Sequence, residues 1–118
     1  MKRDNAIEIK SKSFAIRIVK LYRYLVERKK EFVLAKQPLK SGTSIGANVR
    51  EGIYGQSKND FIAKMCIGLK ECSETGYWLE LLHETGYLTQ RQFTDIHDDC
   101  LELMRLLAKI VKTSRAGK

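Results

Sequence analysis

The stretch LKSGTSIGANVREGIYGQS, residues 39–57, decides how this chain folds. Its many glycines, serines and other small residues are typical of a flexible or phosphate-binding loop. The apolar residues argue against a loop, because Ile45, Val49 and Ile53 recur every four positions and so mark one stripe of a helix. We therefore predict a rod-like helix over residues 38–54, with Gly55 as its stop.

Two glycines, Gly42 and Gly46, also lie four apart and form a smooth strip along this helix. Glycine costs about 1 kcal/mol relative to alanine inside a helix, so close packing against a neighbouring backbone is the better reason for their presence. A Walker phosphate loop is excluded because no Lys-Ser or Lys-Thr pair follows these glycines within the stretch. The charges of Lys40, Arg50 and Glu51 exclude a membrane helix with a G-x-x-x-G face.

The remaining composition indicates one helical domain covering residues 1–118. The chain has a single proline and is dominated by leucine, lysine, glutamate, isoleucine and alanine, which favour helix over strand. No apolar run approaches the roughly 20 residues that cross a bilayer, and the charged N-terminus lacks the apolar core of a signal peptide. We expect a cytoplasmic protein with no membrane partner.

The cysteines agree with a cytoplasmic location. Cys66, Cys72 and Cys100 are odd in number and each lies on an apolar helical stripe, so we predict buried free thiols. No C-x-x-C pair is present, and Glu80 with His83 supplies only half of the residue pairs that a two-metal bundle site needs. We therefore expect no metal and no other cofactor.

Positive charge is concentrated at the two ends of the chain. Residues 1–40 carry a net charge of +8, residues 41–104 a net charge of −5, and residues 105–118 a net charge of +5. Such asymmetry indicates a polyanionic partner such as nucleic acid. A basic surface that only solubilises the protein would give the same counts.

Hydrophobic periodicity divides the chain into four amphipathic helices. In the first, Phe14, Ile18, Leu21 and Leu25 step by four, three and four residues, and the later segments show similar helical spacing. Four such helices joined by short loops imply an all-α fold, an antiparallel up-down four-helix bundle. The predicted helices cover residues 7–31, 38–54, 58–85 and 90–112, and residues 1–6 and 113–118 are expected to be frayed.

Local signals set the boundaries of the later helices. Ser57 with Asp60, and Thr89 with Gln92, have the spacing of capping boxes, which predicts the starts of the third and fourth helices. Gly86 is the predicted stop of the third helix.

The basic side of the first helix is the predicted contact surface for nucleic acid. Tyr24 lies among its bases, in a position to stack on a nucleobase or sugar. Nothing in the sequence indicates a recognition helix, so we expect binding to the phosphate backbone with a strong salt dependence. The residues assigned to this surface are Lys10, Arg17, Lys20, Tyr24, Arg28, Lys29 and Lys30, together with Lys109, Lys112 and Arg115 at the C-terminal end.

A longer run of residues resembles a known family. LKSGTSIGANVREG, followed by SKNDFIAKMCIGLKECSETGYWLELLHETGYL, resembles the four-helix-bundle proteins encoded in 23S ribosomal RNA intervening sequences, which are often labelled S23 ribosomal proteins. The resemblance runs from Lys36 to Leu88, with Arg50 and Gly68 as minor departures. It implies a bundle with no established catalytic activity that assembles into a homo-oligomeric ring, typically a pentamer. A related branch, the accessory variability protein of diversity-generating retroelements, binds a reverse transcriptase and nucleic acid.

The residues that carry this resemblance are expected to serve structure or assembly. We hypothesise that its polar members cap helix ends or form bonds across helices or subunits. The alternative is a set of exposed ion pairs, such as Lys70 with Glu74, each contributing only about 0.3–0.5 kcal/mol. The residues concerned are Ser44, Gly46, Asn48, Glu51, Gly52, Lys70, Glu71, Glu74 and Trp78.

Three functions remain as hypotheses. The first is a non-enzymatic homo-oligomer, a pentamer by resemblance, that binds RNA or DNA or a nucleic-acid enzyme such as a reverse transcriptase or an RNA-processing factor. The second is a ribonuclease, because the spacing of Arg91 and His97 is similar to that in the HEPN family. The third is an assembly scaffold with no nucleic-acid partner.

Overall fold

The computed structural model describes residues 2–117, with side chains from residue 6 onward. Four α-helices and no β-strand are found within this range. None of the described helices is long and apolar enough to cross a membrane. The helices are α1 Lys2–Glu27, α2 Lys36–Ile53, α3 Lys58–Glu84 and α4 Gln90–Gly117.

Consecutive helices run antiparallel, which confirms the predicted up-down bundle. Glu8 near the start of α1 pairs with Arg50 near the end of α2 at 3.1 Å. Ser41 near the start of α2 pairs with Thr75 towards the end of α3 at 2.8 Å. Each helix packs against two neighbours, and among the described residues no Cα atoms of the diagonal pairs α1–α3 and α2–α4 lie within 8 Å of each other. The result is a rod measuring 48 × 21 × 20 Å.

The small-residue stretch is helical up to Ile53, one residue short of the predicted end at Tyr54, and its glycine strip faces α1 inside the bundle. A Cβ atom added at Gly42 would lie 2.8 Å from Cγ1 of Ile18, and one added at Gly46 would lie 3.4 Å from the carbonyl oxygen of Ser11. Ile45 and Val49 are fully buried beside this strip. The glycines of α2 therefore bring α1 close.

A buried hydroxyl pair fixes the register between α2 and α3. Ser41 and Thr75 are almost inaccessible to solvent, and their hydroxyl oxygens lie 2.8 Å apart. Thr75 also donates to the carbonyl of Glu71 at 2.7 Å. A slip of one helix along the other would break this bond between the helices, which contributes about 0.5–1.5 kcal/mol, and would leave each hydroxyl bonded only to a carbonyl of its own helix.

The first helix ends at Glu27 and not at Glu31, so the prediction for this boundary was wrong. Lys30 adopts the left-handed conformation with a φ of 55°, which helical propensity alone does not reveal. The Glu31 carboxylate instead accepts hydrogen bonds from the backbone N–H groups of Leu34 at 2.6 Å and Ala35 at 3.2 Å. Glu31 thereby satisfies donors at the entry to α2, where Ala35 has no side chain that can cap.

The predicted starts of α3 and α4 are confirmed. Thr89 and Gln92 form a complete capping box, because each side chain accepts from the other residue's backbone N–H, at 2.9 and 3.1 Å. Ser57 caps α3 by accepting from the N–H of Asp60 at 3.0 Å, whereas the Asp60 carboxylate accepts from a different residue, Gln56.

The third helix stops where predicted. Gly86 adopts a φ of 89°, a left-handed conformation that glycine adopts without steric cost. The N–H of Tyr87 donates back to the carbonyl of Leu82 at 2.9 Å, which closes the end of α3.

Both terminal segments are helical over more residues than the sequence predicts. The helix α1 begins at Lys2 and α4 continues to Gly117, so backbone expected to fray is helical from residue 2 to residue 6 and from residue 113 to residue 117. Met1 and Lys118, which share that expectation, lie outside the described residues. Packing supports the extension, since Ile7 of α1 and Val111 of α4 are buried in the core.

The cysteines are free thiols, and two of the three are buried as predicted. Cys72 and Cys100 lie in the core between α3 and α4, where the Cys100 thiol donates to the Cys72 carbonyl at 3.3 Å. The contact with the Cys100 side chain and burial together raise the pKa of the Cys72 thiol. Cys66 is only half-buried, with its sulfur 3.4 Å from Nη2 of Arg115.

We expect one fast-reacting thiol in the folded protein. Cys66 should react with a thiol reagent such as DTNB, while Cys72 and Cys100 should react only after unfolding, because both are buried where the reagent cannot reach them. Titration with and without guanidinium measures the two counts, and a Cys66→Ser variant should lose the fast phase. Rapid reaction of all three thiols under native conditions would contradict the packing of α3 against α4.

Candidate nucleic-acid interface

Two of the predicted phosphate-binding residues of α1 are engaged with acids of α4. Nζ of Lys10 lies 2.9 Å from the Glu102 carboxylate. Arg17 forms an ion pair with Asp99 and also donates to the carbonyl of Asp95 at 3.4 Å. These cations therefore join α1 to α4 along the bundle, and nucleic acid would have to compete with carboxylates for them.

These ion pairs were not predicted from the sequence, although the spacing of the charged residues indicates them. Asp95, Asp99 and Glu102 are spaced four and three residues apart, which puts them on one face of α4. Lys10 and Arg17 are seven apart and share a face of α1. Once the helices are antiparallel neighbours, these two faces meet.

The other bases of α1 are open to solvent. Lys20, Arg28, Lys29 and Lys30 are exposed, and no salt bridge to an acid is found for any of them within residues 6–117. They lie on the C-terminal half of α1 and the turn that follows it. We call Lys20, Arg28, Lys29 and Lys30 the α1 basic patch.

Tyr24 borders a groove between α1 and α4, beside the α1 basic patch. The groove has a volume of about 340 Å³. Its wall on α1 includes Arg17, Lys20 and Leu21, and its other residues are Leu88, Gln92, Asp95 and Ile96 from α4 and the turn before it. Half-burial of Tyr24 leaves part of its ring accessible from this groove.

The C-terminal bases lie at the opposite end of the rod from the α1 basic patch. Lys109, Lys112 and Arg115 are exposed on the last turns of α4, and antiparallel packing puts them beside the start of α1. The predicted binding residues therefore form two groups separated by much of the 48 Å length of the bundle.

Two of the polar family residues form bonds, one along α2 and one across to α3. The amide of Asn48 donates to the carbonyl and hydroxyl oxygens of Ser44 at 2.9 and 3.0 Å. The Glu51 carboxylate lies 2.8 Å from Nζ of Lys64 on α3. The hydrogen bond and charge of Glu51 raise the pKa of Lys64.

The two glycines among the family residues serve close packing. Gly46 faces the backbone of α1, as described above. At Gly52 an added Cβ would lie 2.9 Å from Cε of Met65 and 3.0 Å from Cβ of Lys64. This glycine brings the end of α2 against the start of α3.

The predicted pair between Lys70 and Glu74 is not among the salt bridges of the described residues. Glu74 instead accepts a hydrogen bond from Nε1 of Trp78 at 3.1 Å. Lys70 is exposed, and the carbonyl of Glu71 accepts from the Thr75 hydroxyl at 2.7 Å. The group lies on α3, beside the exposed ring of Tyr77, which packs edge-on against Trp78.

Both histidines belong to an aromatic stack between α3 and α4. His83, Phe93 and His97 follow one another with centroid separations of 4.5 and 4.6 Å, and Nε2 of His97 lies 3.4 Å from Glu80. The Phe93 ring lies between the two imidazoles, so His83 and His97 are not placed to bind one metal ion together. No cluster of three metal-ligating side chains is found in the part of the chain that the structure describes.

The structure does not favour the ribonuclease arrangement. Arg91 and His97 are six positions apart on one helix, which separates them by about 120° around the axis and about 9 Å along it. Arg91 is exposed, whereas the His97 ring is held between Phe93 and Glu80. The two side chains do not converge on one concave site.

The fold and surface define a helical-bundle protein with basic groups near both ends. The family model for the 23S rRNA-intervening sequence protein matches residues 3–109, and the chain belongs to this family. A crystal structure of a protein of unknown function from the S23 ribosomal protein family of Bacteroides thetaiotaomicron is 54% identical to the chain. It superposes with a TM-score of 0.92 and covers 94% of this chain and 99% of that one. No functionally curated protein matches the chain.

Proposed function

We propose that this protein is a non-enzymatic homo-oligomer that binds the backbone of RNA or DNA, or a nucleic-acid enzyme, through its basic surface. The observation that carries the proposal is the α1 basic patch, in which Lys20 and the consecutive bases Arg28, Lys29 and Lys30 are exposed and form no salt bridge among the described residues. Cations already paired with carboxylates release fewer counterions from nucleic acid, so Lys20, Arg28, Lys29 and Lys30 should contribute more to binding than Lys10 and Arg17.

The proposed partner is a single strand or duplex contacted at its phosphates. Binding to phosphates is independent of sequence and weakens steeply with salt. Fluorescence anisotropy with a labelled 20-nucleotide RNA and a labelled DNA of the same length, at low and moderate salt, tests this. Affinity that falls steeply with salt supports the proposal, and absence of binding at both salt concentrations would favour an assembly scaffold.

Exposed apolar side chains support self-association. Ile9 and Ile16 lie seven residues apart on the outer face of α1 and are 67% and 49% exposed. Tyr77 and Ile67 on α3 are 56% and 39% exposed. Aliphatic and aromatic side chains in such positions are typical of protein interfaces. We propose that copies of this chain assemble through these faces into a ring, a pentamer as the family resemblance implies, and light scattering measures the number of subunits.

A further inference from the structure

The groove between α1 and α4 has an apolar floor. Leu88 and Ile96 are 4% and 5% exposed, and Leu21 is half-buried beside them. With a volume of about 340 Å³, the groove has room for one nucleotide but not for a nucleic-acid helix. An apolar floor of this size suits a flat ring.

The rim of this groove carries polar groups that the bundle itself does not use. Neither the ammonium of Lys20, the hydroxyl of Tyr24 nor the carboxylate of Asp95 has a hydrogen-bond partner among the described side chains and backbone. The Oε1 atom of Gln92 accepts a hydrogen bond in the capping box, and its amide nitrogen has no hydrogen-bond partner among the described residues.

Charged side chains along the interface between α1 and α4 differ in whether they form salt bridges. Towards the other end of the bundle, Lys10 is paired with Glu102, and in the groove wall itself Arg17 is paired with Asp99. By contrast, Lys20 and Asp95 both contribute to the lining and form no salt bridge with each other. A concave site with a cation, a carboxylate and an aromatic ring all free is suited to a ligand that carries negative charge, hydrogen-bond donors and a planar ring.

We propose that this groove binds one unpaired guanine nucleotide of a single strand, an inference that rests on the proposed nucleic-acid function. Tyr24 contacts the face of the base, as aromatic side chains do when they bind unstacked bases. The Asp95 carboxylate accepts from the N1–H and the amino group of guanine, two adjacent donors that adenine, cytosine and uracil do not present together. Lys20 neutralises the phosphate. In a duplex these guanine donors are already paired with cytosine, so the groove selects single strands, loops or ends.

The path of the strand follows from the helical spacing. Lys20, Tyr24 and Arg28 are four residues apart, and Lys20 and Arg28 are separated by about 12 Å along α1. A base seated at Tyr24 therefore has Lys20 on one side and the remaining α1 basic patch on the other. The phosphates on both sides of the bound guanosine meet positive charge.

The test uses two ligand types and four variants. The ligands are labelled 11-nucleotide uridine RNAs and their DNA counterparts with one central guanine or adenine, together with free 5′-GMP and 5′-AMP observed by NMR at the methyl groups of the groove. The variants are Tyr24→Ala, Tyr24→Phe, Asp95→Asn and, as a matched control, Asp98→Asn, which removes the same charge from an exposed position outside the groove. Circular dichroism checks that each variant is folded.

We expect the wild-type protein to bind the guanine oligonucleotide about tenfold more tightly than the adenine one, the discrimination typical of a good bidentate contact. Asp95→Asn should abolish this preference, whereas Asp98→Asn should retain it. Tyr24→Ala should weaken binding of the guanine oligonucleotide about tenfold, and Tyr24→Phe, which keeps the ring, should not.

Equal binding of the guanine and adenine strands by the wild-type protein, with no effect of Asp95→Asn, would overturn the guanine groove and leave salt-dependent backbone binding in place. Binding of 5′-GMP at the groove, without binding of any oligonucleotide, would support the groove while removing the proposed function. No response to 5′-GMP together with no oligonucleotide binding would overturn both.

Discussion

Replacing Arg28, Lys29 and Lys30 together by alanine should lower the affinity for single-stranded RNA about a hundredfold at 0.1 M salt. Each phosphate contact with a single strand contributes a slope of about 0.7 to the dependence of log affinity on log salt. Loss of three contacts should thus reduce the slope by about 2, and at 0.1 M salt this corresponds to about two decades of affinity. Anisotropy titrations at four salt concentrations measure both quantities.

A control variant with the same net charge distinguishes the effect of the α1 basic patch from the effect of the protein's overall charge. Lys12, Lys58 and Arg105 are exposed bases scattered over α1, α3 and α4. Replacing these three by alanine changes the protein's charge by the same amount but should reduce the slope much less. Equal effects of the two triple variants would show that binding depends on overall charge and not on the α1 basic patch.

Gly42→Ala should destabilise the bundle by up to about 2 kcal/mol, whereas Gly46→Ala should stabilise it by up to about 1 kcal/mol. Both changes gain the helix propensity of alanine, about 1 kcal/mol. Only at Gly42 does the new methyl group enter a filled space, 2.8 Å from a fully packed side chain of Ile18, and overpacking of this kind costs about 1–3 kcal/mol. Urea unfolding followed by circular dichroism measures the difference.

A double variant adds a second check on this contact. Ile18→Ala removes the Cγ1, Cγ2 and Cδ1 atoms that a Cβ added at Gly42 would meet, so Gly42→Ala should cost less stability in that background than in the wild-type protein. It should not change the effect of Gly46→Ala, which faces Ser11. A Gly42→Ala variant that is as stable as Gly46→Ala, or more stable, would contradict the close approach of α1 and α2 at Gly42.

The fold could be predicted because its signals are local. The four-residue spacing in α2 outweighed a loop-like composition, and the box formed by Thr89 and Gln92 marked the start of α4 correctly. The end of α1 could not be predicted in this way. It depends on Lys30 in a left-handed conformation and on Glu31 turning to cap the next helix, and neither is encoded in a periodic pattern.

The candidate site was predictable only in part, because the net charge of a segment does not show which of its bases form ion pairs with acids on another helix. Arg17 and Asp99 are 82 positions apart, so their pairing appears only when α1 and α4 are neighbours. Antiparallel packing likewise separates Lys109 from Lys30, although the sequence suggests one basic surface. The groove at Tyr24 could not be predicted from the sequence, because its floor is formed by residues of α1, of α4 and of the turn before α4.

The seam between α1 and α4 has a consequence for how the protein is made. Its two members are the first and last helices, they contact each other less than the other neighbouring pairs, and charges screened by salt form part of the join. During synthesis α1, α2 and α3 can pack together before α4 has been made, and α4 carries the carboxylates that neutralise Lys10 and Arg17. The nascent protein is therefore more strongly cationic along that side than the finished one.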